Sequence, residues 1–391
     1  MSYRALISCV IAMLSSAVAL IFLYHRAESI GLVDKPSDRK KHVGNIPLIG
    51  GLSALFGVIA GMCFEGESLL FTNALLGTGA VLALTGALDD RFDLSVRSRL
   101  LVQAAAVITM VYCTHTYIHT LGHLFGYNLE LGEFGIPLTL LAVIGLLNAF
   151  NMMDGIDGLA GMLTLVSIGA ISVFQGVSQW HSIILLLLLA AALLPDLAAN
   201  LDLIGRKVFL GDAGSMMIGY FLAWTLIQLS QQPQPHLSTV DVLWCVALPV
   251  LDTLQVMLRR MREGKSPFKP DRGHIHHVMM NAGFSAHTTL VLLVGLAMAL
   301  VYVGTLTRHL TPGSNLLAFT SVAAIYVVLL GRIYRVQQAS KAMVATAAAR
   351  TIGTQRLSLA TPLQPTTVGP YQEHENETHQ ENVDSSEQQQ A

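Results

Sequence analysis

The sequence has few charged residues for its length. Only 12% of its 391 residues are Asp, Glu, Lys or Arg, whereas 53% are hydrophobic and the mean hydropathy is +0.56. A soluble globular domain carries about 25% charged residues, so the composition excludes an ordinary soluble domain. Repeated apolar stretches of about twenty residues instead predict helices that cross a bilayer. No nucleic-acid partner is expected for such a chain.

Cysteine is also scarce, and the usual nucleotide-binding motifs are missing. The cysteines are scattered along apolar segments without CxxC spacing, which predicts that they pack as small apolar side chains; they are Cys9, Cys63, Cys113 and Cys245. The sequence contains neither a Walker lysine loop nor a GxGxxG fingerprint. We therefore do not expect ATP bound in a P-loop.

Hydropathy predicts an all-α fold, a polytopic membrane bundle of about eleven transmembrane helices. The first apolar stretch is too long for the core of a signal peptide and is expected to remain as a span. The predicted spans lie near residues 3–24, 47–64, 68–88, 100–118, 136–150, 158–177, 182–199, 209–229, 239–258, 287–306 and 314–335.

Lys and Arg predict the orientation of these spans. With this span assignment, 21 of the 23 basic residues lie on one side of the membrane, and only Arg4 and Arg308 lie on the other. Because cytoplasmic loops are enriched in Lys and Arg, we expect the N-terminus outside and the C-terminus in the cytoplasm. Residues 1–336 are predicted to form the transmembrane catalytic domain. The low-complexity, polar composition of 337–391 predicts a disordered cytoplasmic tail.

Aspartates collect at the ends of spans on the basic side. Asp89 and Asp90 follow the third span directly, and Asp212 begins the eighth within "VFLGDAGSMMIGY". Adjacent carboxylates repel each other unless a cation lies near, although the pair alone is also compatible with a solvated helix end. An ionisable residue at the mouth of a span is costly, which favours a functional role for Asp212.

A polar stripe interrupts apolar sequence in "NAFNMMDGIDGLAG". Asn148, Asn151, Asp154 and Asp157 recur every three residues, which predicts one shared helical face. The spacing does not match a calcium-binding loop. Such a stripe either borders a water-filled cleft or seals against a neighbouring helix.

Histidines cluster in the long basic loop after the ninth span. His274, His276 and His277 lie in "PDRGHIHH" without an accompanying cysteine or HExxH spacing, which disfavours zinc. Histidines among lysines and arginines suit phosphate groups. Carboxylates for a hard cation and cationic groups for oxyanions are the usual parts of a phosphoryl-transfer site.

These motifs, in their order between apolar spans, resemble the polyprenyl-phosphate N-acetylhexosamine-1-phosphate transferases. The resemblance covers about residues 20–335 and is carried by "DKPSDRKKHVGNIPLIGG", "DDRFDLSVRSRL", "NAFNMMDGIDGLAG", "VFLGDAGSMMIGY" and "PDRGHIHH". Within the family, the sequence most resembles the WecA branch, the UDP-GlcNAc:undecaprenyl-phosphate GlcNAc-1-phosphate transferases. The related MraY branch typically has three consecutive histidines, whereas Ile275 interrupts them here.

The resemblance implies a cytoplasmic active-site cleft, Mg²⁺ (with Mn²⁺ as an alternative) and a homodimer. It implies Mg²⁺ ligation by Asp212, with Asp89 and Asp90 binding metal or activating the lipid phosphate. It also implies catalytic roles for Asp154, Asp157 and His276. The implied substrate-binding residues are Asn148, Asn151, Arg272, His274, His277, Lys41 and His42.

The expected reaction transfers GlcNAc-1-phosphate from UDP-GlcNAc to undecaprenyl phosphate and releases UMP. The product would start a lipid-linked cell-surface polysaccharide at the bacterial inner membrane. UDP-GalNAc, UDP-QuiNAc or UDP-FucNAc would use the same chemistry, so the sugar stays open. A transporter or flippase is the alternative from another class, but such proteins place ionisable groups near the midplane of repeated helices. The sequence shows no internal repeat.

Overall fold

The computed structural model describes residues 2–34, 44–66, 69–232, 237–266, 271 and 273–359. These residues form helices with two short antiparallel hairpins. The helices are α1 (Tyr3–Tyr24), α2 (Ala27–Ile30), α3 (Gly50–Glu65), α4 (Leu70–Phe92), α5 (Val96–Thr114), α6 (Gly135–Met153), α7 (Leu159–Gln175), α8 (Ile184–Asn200), α9 (Gly211–Ser230), α10 (Thr239–Cys245), α11 (Ala247–Arg262), α12 (Ile275–Asn281), α13 (Ala286–Thr307) and α14 (Pro312–Leu359). Short 3₁₀ helices cover Gly132–Phe134 and Val177–Ile183.

The strands are short and lie between helices. β1 (Val33–Asp34) pairs with β2 (Ile46–Pro47), and β3 (Thr120–Leu124) pairs with β4 (Tyr127–Glu130). Neither hairpin was expected from hydropathy, because two to five residues are too few to form an apolar run. The fold is otherwise the predicted all-α membrane bundle.

Each of the eleven predicted spans falls on one helix or on one bent pair of helices. In the described part of the chain, eight helices are long and apolar enough to cross a membrane, and the α10–α11 pair, bent by 87°, makes a ninth candidate. The other two, α3 and α7, have only 16 and 17 residues. Helix α3 is shorter than predicted because Pro47 lies in β2, and α7 is shorter mainly because Gly176, with positive φ, ends it at Gln175.

Helix α9 lies at the centre of the bundle. It packs against α4 and α6 along most of its length and also contacts α3. Of its candidate span, 94% is buried inside the protein, and Tyr220, Phe221 and Trp224 are fully buried. A helix that is apolar on all sides is expected in such a position. The first turn of α9, which carries Asp212, is thereby held in a fixed place relative to α4 and α6.

Internal contacts divide the chain after Gln338. Helix α14 runs from Pro312 to Leu359, so residues 339–359 of the second unit are helical. The disordered tail at 337–391 stays a prediction, although the residues of this range that the structure describes are helical. Low aromatic content does not prevent a helix here, because 339–359 is rich in alanine, the strongest helix former. Residues 360–391 lie outside the described residues.

Candidate active site

The predicted aspartates come together at one end of the bundle. Asp89 and Asp90 lie in the last turns of α4, Asp154 follows the last residue of α6, and Asp212 lies in the first turn of α9. Asp157 lies in the turn between α6 and α7. Three segments that are distant in sequence thus bring carboxylates to the same end of the bundle.

Asp90 joins α4 to α9. Its carboxylate oxygens accept the backbone N–H of Asp212 at 3.2 and 3.0 Å. The first backbone N–H groups of a helix have no partner within the helix, and a carboxylate there is favoured by the helix dipole. Asp90 therefore fixes the start of α9 as well as adding charge to the site.

Gly86 allows α4 and α9 to approach this closely. A Cβ atom at this position would lie 2.6 Å from Ala213 Cα, in the first turn of α9. Because real Cβ atoms do not tolerate such a contact with backbone, a larger residue at 86 would push the two helices apart. Asp90 would then lose its contact with Asp212.

Asn151 holds the side chain of Asp212. Its Nδ2 atom donates to Asp212 Oδ1 at 2.8 Å and lies 3.0 Å from Ser215 Oγ. Asn148, one turn earlier on α6, instead donates to Gln103 Oε1 on α5 at 3.0 Å. The two asparagines therefore differ: Asn151 belongs to the carboxylate cluster, whereas Asn148 seals α6 against a neighbouring helix.

Asp89 is the most deeply buried member of the DD pair and is fully engaged. It is 6% exposed. Its Oδ1 accepts the backbone N–H of Leu94 at 2.7 Å, and its Oδ2 pairs with Arg99 Nη1 at 2.5 Å. The same Nη1 atom lies 3.6 Å from Asp212 Oδ2. Arg99 thus links Asp89 to Asp212 and supplies positive charge to the cluster.

The "DGIDG" turn carries the second pair of aspartates. Helix α6 ends at Met153, so Asp154 and Asp157 lie on a turn and the predicted single helical stripe stops there. Asp157 pairs with Lys207 at 2.6 Å. Asn200 accepts the N–H of Gly158 and donates to the carbonyl of Val208 at 2.8 Å, which ties this turn to the loop that carries Lys207.

The charge of the cluster exceeds that of its basic partners. Burial raises the pKa of Asp154 well above its usual range, and the neighbouring carboxylates of Asp196, Asp212 and Asp157 raise it further. Arg99 and Lys207 are the basic side chains paired with these acids in the described part of the chain. A nearby cation would favour the ionised form of carboxylates whose pKa is raised by burial and by one another, so this crowding favours cation binding.

The histidine motif lies against the "DGIDG" turn. His276 is 1% exposed, and a Cβ atom at Gly155 would lie 2.8 Å from its Cε1 atom. Both ring nitrogens of His276 are buried without a hydrogen-bond partner in the described residues. Burial lowers the pKa of His276 to about 3, with further lowering by His277 and His274. The imidazole is therefore neutral at physiological pH.

His274 is held by residues that the sequence analysis missed. Its Nδ1 atom donates to Asp252 Oδ2 at 2.7 Å. The other oxygen of Asp252 accepts the N–H of Ile275 at 2.8 Å and the hydroxyl of Tyr326 at 3.1 Å. Asp252 is fully buried in α11. The sequence did contain a signal for Asp252, since it is an aspartate inside the apolar run "VALPVLDTLQVML".

Asp271 clamps the loop before the histidines. It accepts from Arg259 Nη2 and Arg260 Nη1, both at 2.6 Å. Burial alone raises the pKa of the Asp271 carboxyl, but these hydrogen bonds hold it below its usual value.

Neither this clamp nor the roles of Arg99, Lys207 and Asn200 followed from spacing alone. Lys41, His42 and Arg272 lie outside the described residues.

The residues present fit a magnesium ion whose remaining coordination positions are filled by substrate and water. Among the described residues, no group of three His, Cys, Asp or Glu side chains is arranged to hold a metal alone. Mg²⁺ needs only one or two carboxylates and takes its remaining oxygens from water and phosphates. Asp212 and Asp90, both partly exposed and already in contact, provide such a pair.

The fold and the site place the protein in the class of polytopic membrane proteins with an acidic site at one end of the helix bundle. The model of the glycosyl transferase family 4 matches residues 72–230, which include every aspartate of the cluster. Similar proteins named undecaprenyl-phosphate alpha-N-acetylglucosaminyl 1-phosphate transferase occur in several bacteria. That of Yersinia pestis is 41% identical over 300 residues, 75% of this chain and 82% of its own.

Two further relatives have the same name. The protein of Escherichia coli strain K12 is 41% identical over 306 residues, 76% of this chain and 82% of its own length. That of Pasteurella multocida strain Pm70 is 39% identical over 312 residues, 77% of this chain and 86% of its own. The chain belongs to glycosyl transferase family 4, and the resemblance read from its motifs is confirmed.

Proposed function

We propose that this protein transfers GlcNAc-1-phosphate from UDP-GlcNAc to undecaprenyl phosphate, with release of UMP. The observation that supports it most is the junction of Asp90, Asp212 and Asn151, which unites three of the family's motifs in one acidic site. The relatives' names give the acceptor lipid and the sugar. The reaction exchanges one pyrophosphate bond for another and is expected to be reversible.

In this reaction an oxygen of the lipid phosphate attacks the β-phosphorus of UDP-GlcNAc. A new P–O bond forms to the lipid phosphate, and the bond to the UMP oxygen breaks. Two anions must meet, and at about 4 Å like charges repel by about 4 kcal/mol at an effective dielectric of about 20. A bound Mg²⁺, or Mn²⁺ in its place, would neutralise the pyrophosphate oxygens, and Asp212 with Asp90 would hold it.

The other residues of the cluster divide into positioning and binding roles. Asp89 is buried and paired with Arg99, which supports a positioning role for it. Neutral His276 is buried against Gly155, which supports a role in positioning the "DGIDG" turn. Asp157 with Lys207 lies at the edge of the site, where it would contact the nucleotide. Lys41, His42, Arg272 and His277 remain predicted substrate contacts.

Direct attack by the lipid phosphate is the mechanism that this arrangement favours. Both oxygens of Asp89 are engaged, which disfavours Asp89 as the nucleophile of a phospho-enzyme, and Asp90 is assigned to the metal and to the start of α9. A covalent route predicts exchange of labelled UMP into UDP-GlcNAc without any lipid acceptor. Direct attack predicts no exchange until undecaprenyl phosphate is added.

The decisive assay uses purified full-length protein, undecaprenyl phosphate and Mg²⁺. Radiolabelled UDP-GlcNAc should yield a chloroform-soluble product and an equal amount of UMP, and EDTA should stop both. A panel with UDP-GalNAc, UDP-QuiNAc and UDP-FucNAc tests the sugar, since one changed hydroxyl contact is enough to alter preference. Failure to make lipid-linked product from every UDP-sugar would refute the proposed reaction.

The membrane orientation belongs to the same proposal. The acidic site lies on the side that carries most Lys and Arg, which supports a cytoplasmic active site, an outer N-terminus and a location in the bacterial inner membrane. A homodimer stays a prediction. As a first lipid-linked intermediate, the product would enter a surface polysaccharide pathway such as that of O antigen.

A further inference from the structure

The β3–β4 hairpin lies at the end of the bundle opposite the acidic site. Helix α5 starts near the site at Val96 and ends at Thr114, and α6 returns from Gly135 to Asn151 and Asp154. The hairpin between them is therefore on the far side of the membrane span. None of the predicted site residues lies in this segment, and in the described part of the chain no hydrogen bond joins it to the acidic site.

Strand β3 is fixed to the bundle, which makes β4 the outer strand. The side chain of Gln231 accepts the N–H groups of His119 and Thr120 at 3.0 and 3.1 Å and donates to the carbonyl of Thr120 at 3.1 Å. Thr239 donates to the carbonyl of Leu121 at 2.6 Å. All four residues of β4 are exposed, and in the described chain β3 is its only strand partner.

The two faces of the hairpin differ in polarity. Leu124 pairs with Tyr127, so both side chains lie on one face, and Leu129 shares it because side chains alternate along a strand. Leu124 is 6% exposed, which shows that this face points toward the bundle. Tyr127 and Leu129 on the outer strand remain 75% and 42% exposed. Asn128 and Glu130 form the opposite face and bond to each other at 2.9 Å.

Exposed aromatic side chains also lie in the segments that flank the hairpin. Tyr112 near the end of α5 and Phe134 just before α6 are 80% and 86% exposed. Residues 112–136 contain no Lys or Arg. Tyr and other amphipathic aromatic side chains concentrate where a bilayer meets water. Because Tyr127 and Leu129 on this face stay exposed at the outer end of α5 and α6, the surface that they present is open to lipid.

We propose that the hairpin is an interfacial anchor in the leaflet opposite the active site. Tyr127 and Leu129 insert among the phospholipid headgroups and upper acyl chains, while Asn128 and Glu130 face water. Because no basic residue takes part, attraction is to the interface itself rather than to anionic headgroups. The anchor holds the outer ends of α5 and α6 level with the bilayer surface.

Tryptophan scanning in lipid nanodiscs tests this proposal, with the opposite strand face as the matched control. Tyr127→Trp, Leu129→Trp and Asn128→Trp each add one indole to the full-length protein, and wild-type emission from the native tryptophans is subtracted. The indoles at 127 and 129 should emit at shorter wavelength and be quenched by phospholipids brominated near the headgroup. The indole at 128 should be quenched by aqueous iodide instead, and high salt should change neither pattern.

Two results would overturn the anchor. Equal iodide quenching at 127 and 128 would mean that both faces lie in water. An indole at 127 and 129 that neither quencher reaches would mean that protein, such as a second copy of this chain, covers the face. Because the three positions are exposed, all three variants should fold, which their thermal unfolding in detergent verifies.

Discussion

The carboxylate of Asp90 holds the backbone N–H of Asp212 through both oxygens, at 3.2 and 3.0 Å, although 122 residues separate the two. The end of α4 and the start of α9 thus form one unit. Asn151 from α6 completes it by binding the Asp212 side chain. Disturbing any of these three helices at this end should affect the acidic site before it affects the rest of the bundle.

Gly86→Ala should separate α4 from α9 and lower activity. Its Cβ atom would meet the backbone of Ala213, and such overpacking costs about 1–3 kcal/mol of folding free energy. Gly77→Ala on the same helix is the control, because nothing lies within 4 Å of that position. The control should be neutral or gain up to about 1 kcal/mol. Thermal unfolding and UMP release measure both effects, and equal behaviour of the two variants would contradict the close approach.

Arg99→Gln should destabilise the protein and reduce turnover. It leaves the buried Asp89 without its partner, and breaking a fully buried ion pair costs about 3–5 kcal/mol. The cost here should be smaller, since the Arg99 side chain is 24% exposed. Arg97→Gln removes an exposed charge two residues away and should change stability by less than about 0.5 kcal/mol. Equal melting temperatures for the two variants would exclude a supporting role for Arg99.

Asp252→Asn should slow turnover by misplacing His274. The carboxylate accepts from His274, Ile275 and Tyr326, and an amide cannot accept all three bonds. We expect a loss of about 10–100-fold, the range seen when the partner of a metal-bound histidine is removed, and we expect it in kcat more than in KM. Tyr326→Phe removes one bond, worth about 0.5–1.5 kcal/mol, and should cost less than about tenfold. A loss in Asp252→Asn that only follows the amount of folded protein would argue for a purely structural role.

Stability should fall as the pH is lowered, in part because of His276. Its pKa is lowered to about 3 in the folded protein, against about 6.5 in an unfolded chain. Between these values the unfolded state binds more protons, so the contribution of His276 to stability is complete above about pH 6.5. It is lost toward pH 3, by up to about 1.4 kcal/mol per pH unit. His276→Gln should have a shallower fall of unfolding temperature between pH 7.5 and 5, and parallel curves would contradict the buried neutral imidazole.

Sequence predicted the membrane bundle and most of the acidic site because both leave local signals. Long apolar runs identify spans, and aspartates at span ends identify a site where lipid would not tolerate them. The partner of each polar group is not local. Asn148 and Asn151 look equivalent in sequence, yet one bonds Gln103 and the other Asp212. Which of them enters the site depends on the packing of α5 and α9 around α6.

The hairpin and the turn after α6 were not predicted, because the sequence has no recognisable pattern for either. The β3–β4 hairpin turns at Phe125 and Gly126, both with positive φ, as a type I′ turn requires. The usual Asn-Gly or Asp-Gly signal for such a turn is absent. The prediction of one helical face was wrong beyond Met153, because Gly155 and Gly158 lie in a turn there. The positive φ of Gly158 delays the start of α7. Glycine spacing was visible in the sequence, but its conformation was not.

Divalent-ion binding to Asp212→Asn tests the central claim most directly. The substitution keeps the size of the side chain and removes its charge, and Asp202→Asn in the loop before α9 is the control, since Asn tolerates the positive φ of that residue. With UDP-GlcNAc present, electron paramagnetic resonance of Mn²⁺ should show binding to the wild type and Asp202→Asn, with Mg²⁺-dependent UMP release in both. Asp212→Asn should show neither. Normal Mn²⁺ binding and near-normal UMP release by Asp212→Asn would contradict a metal held at this carboxylate.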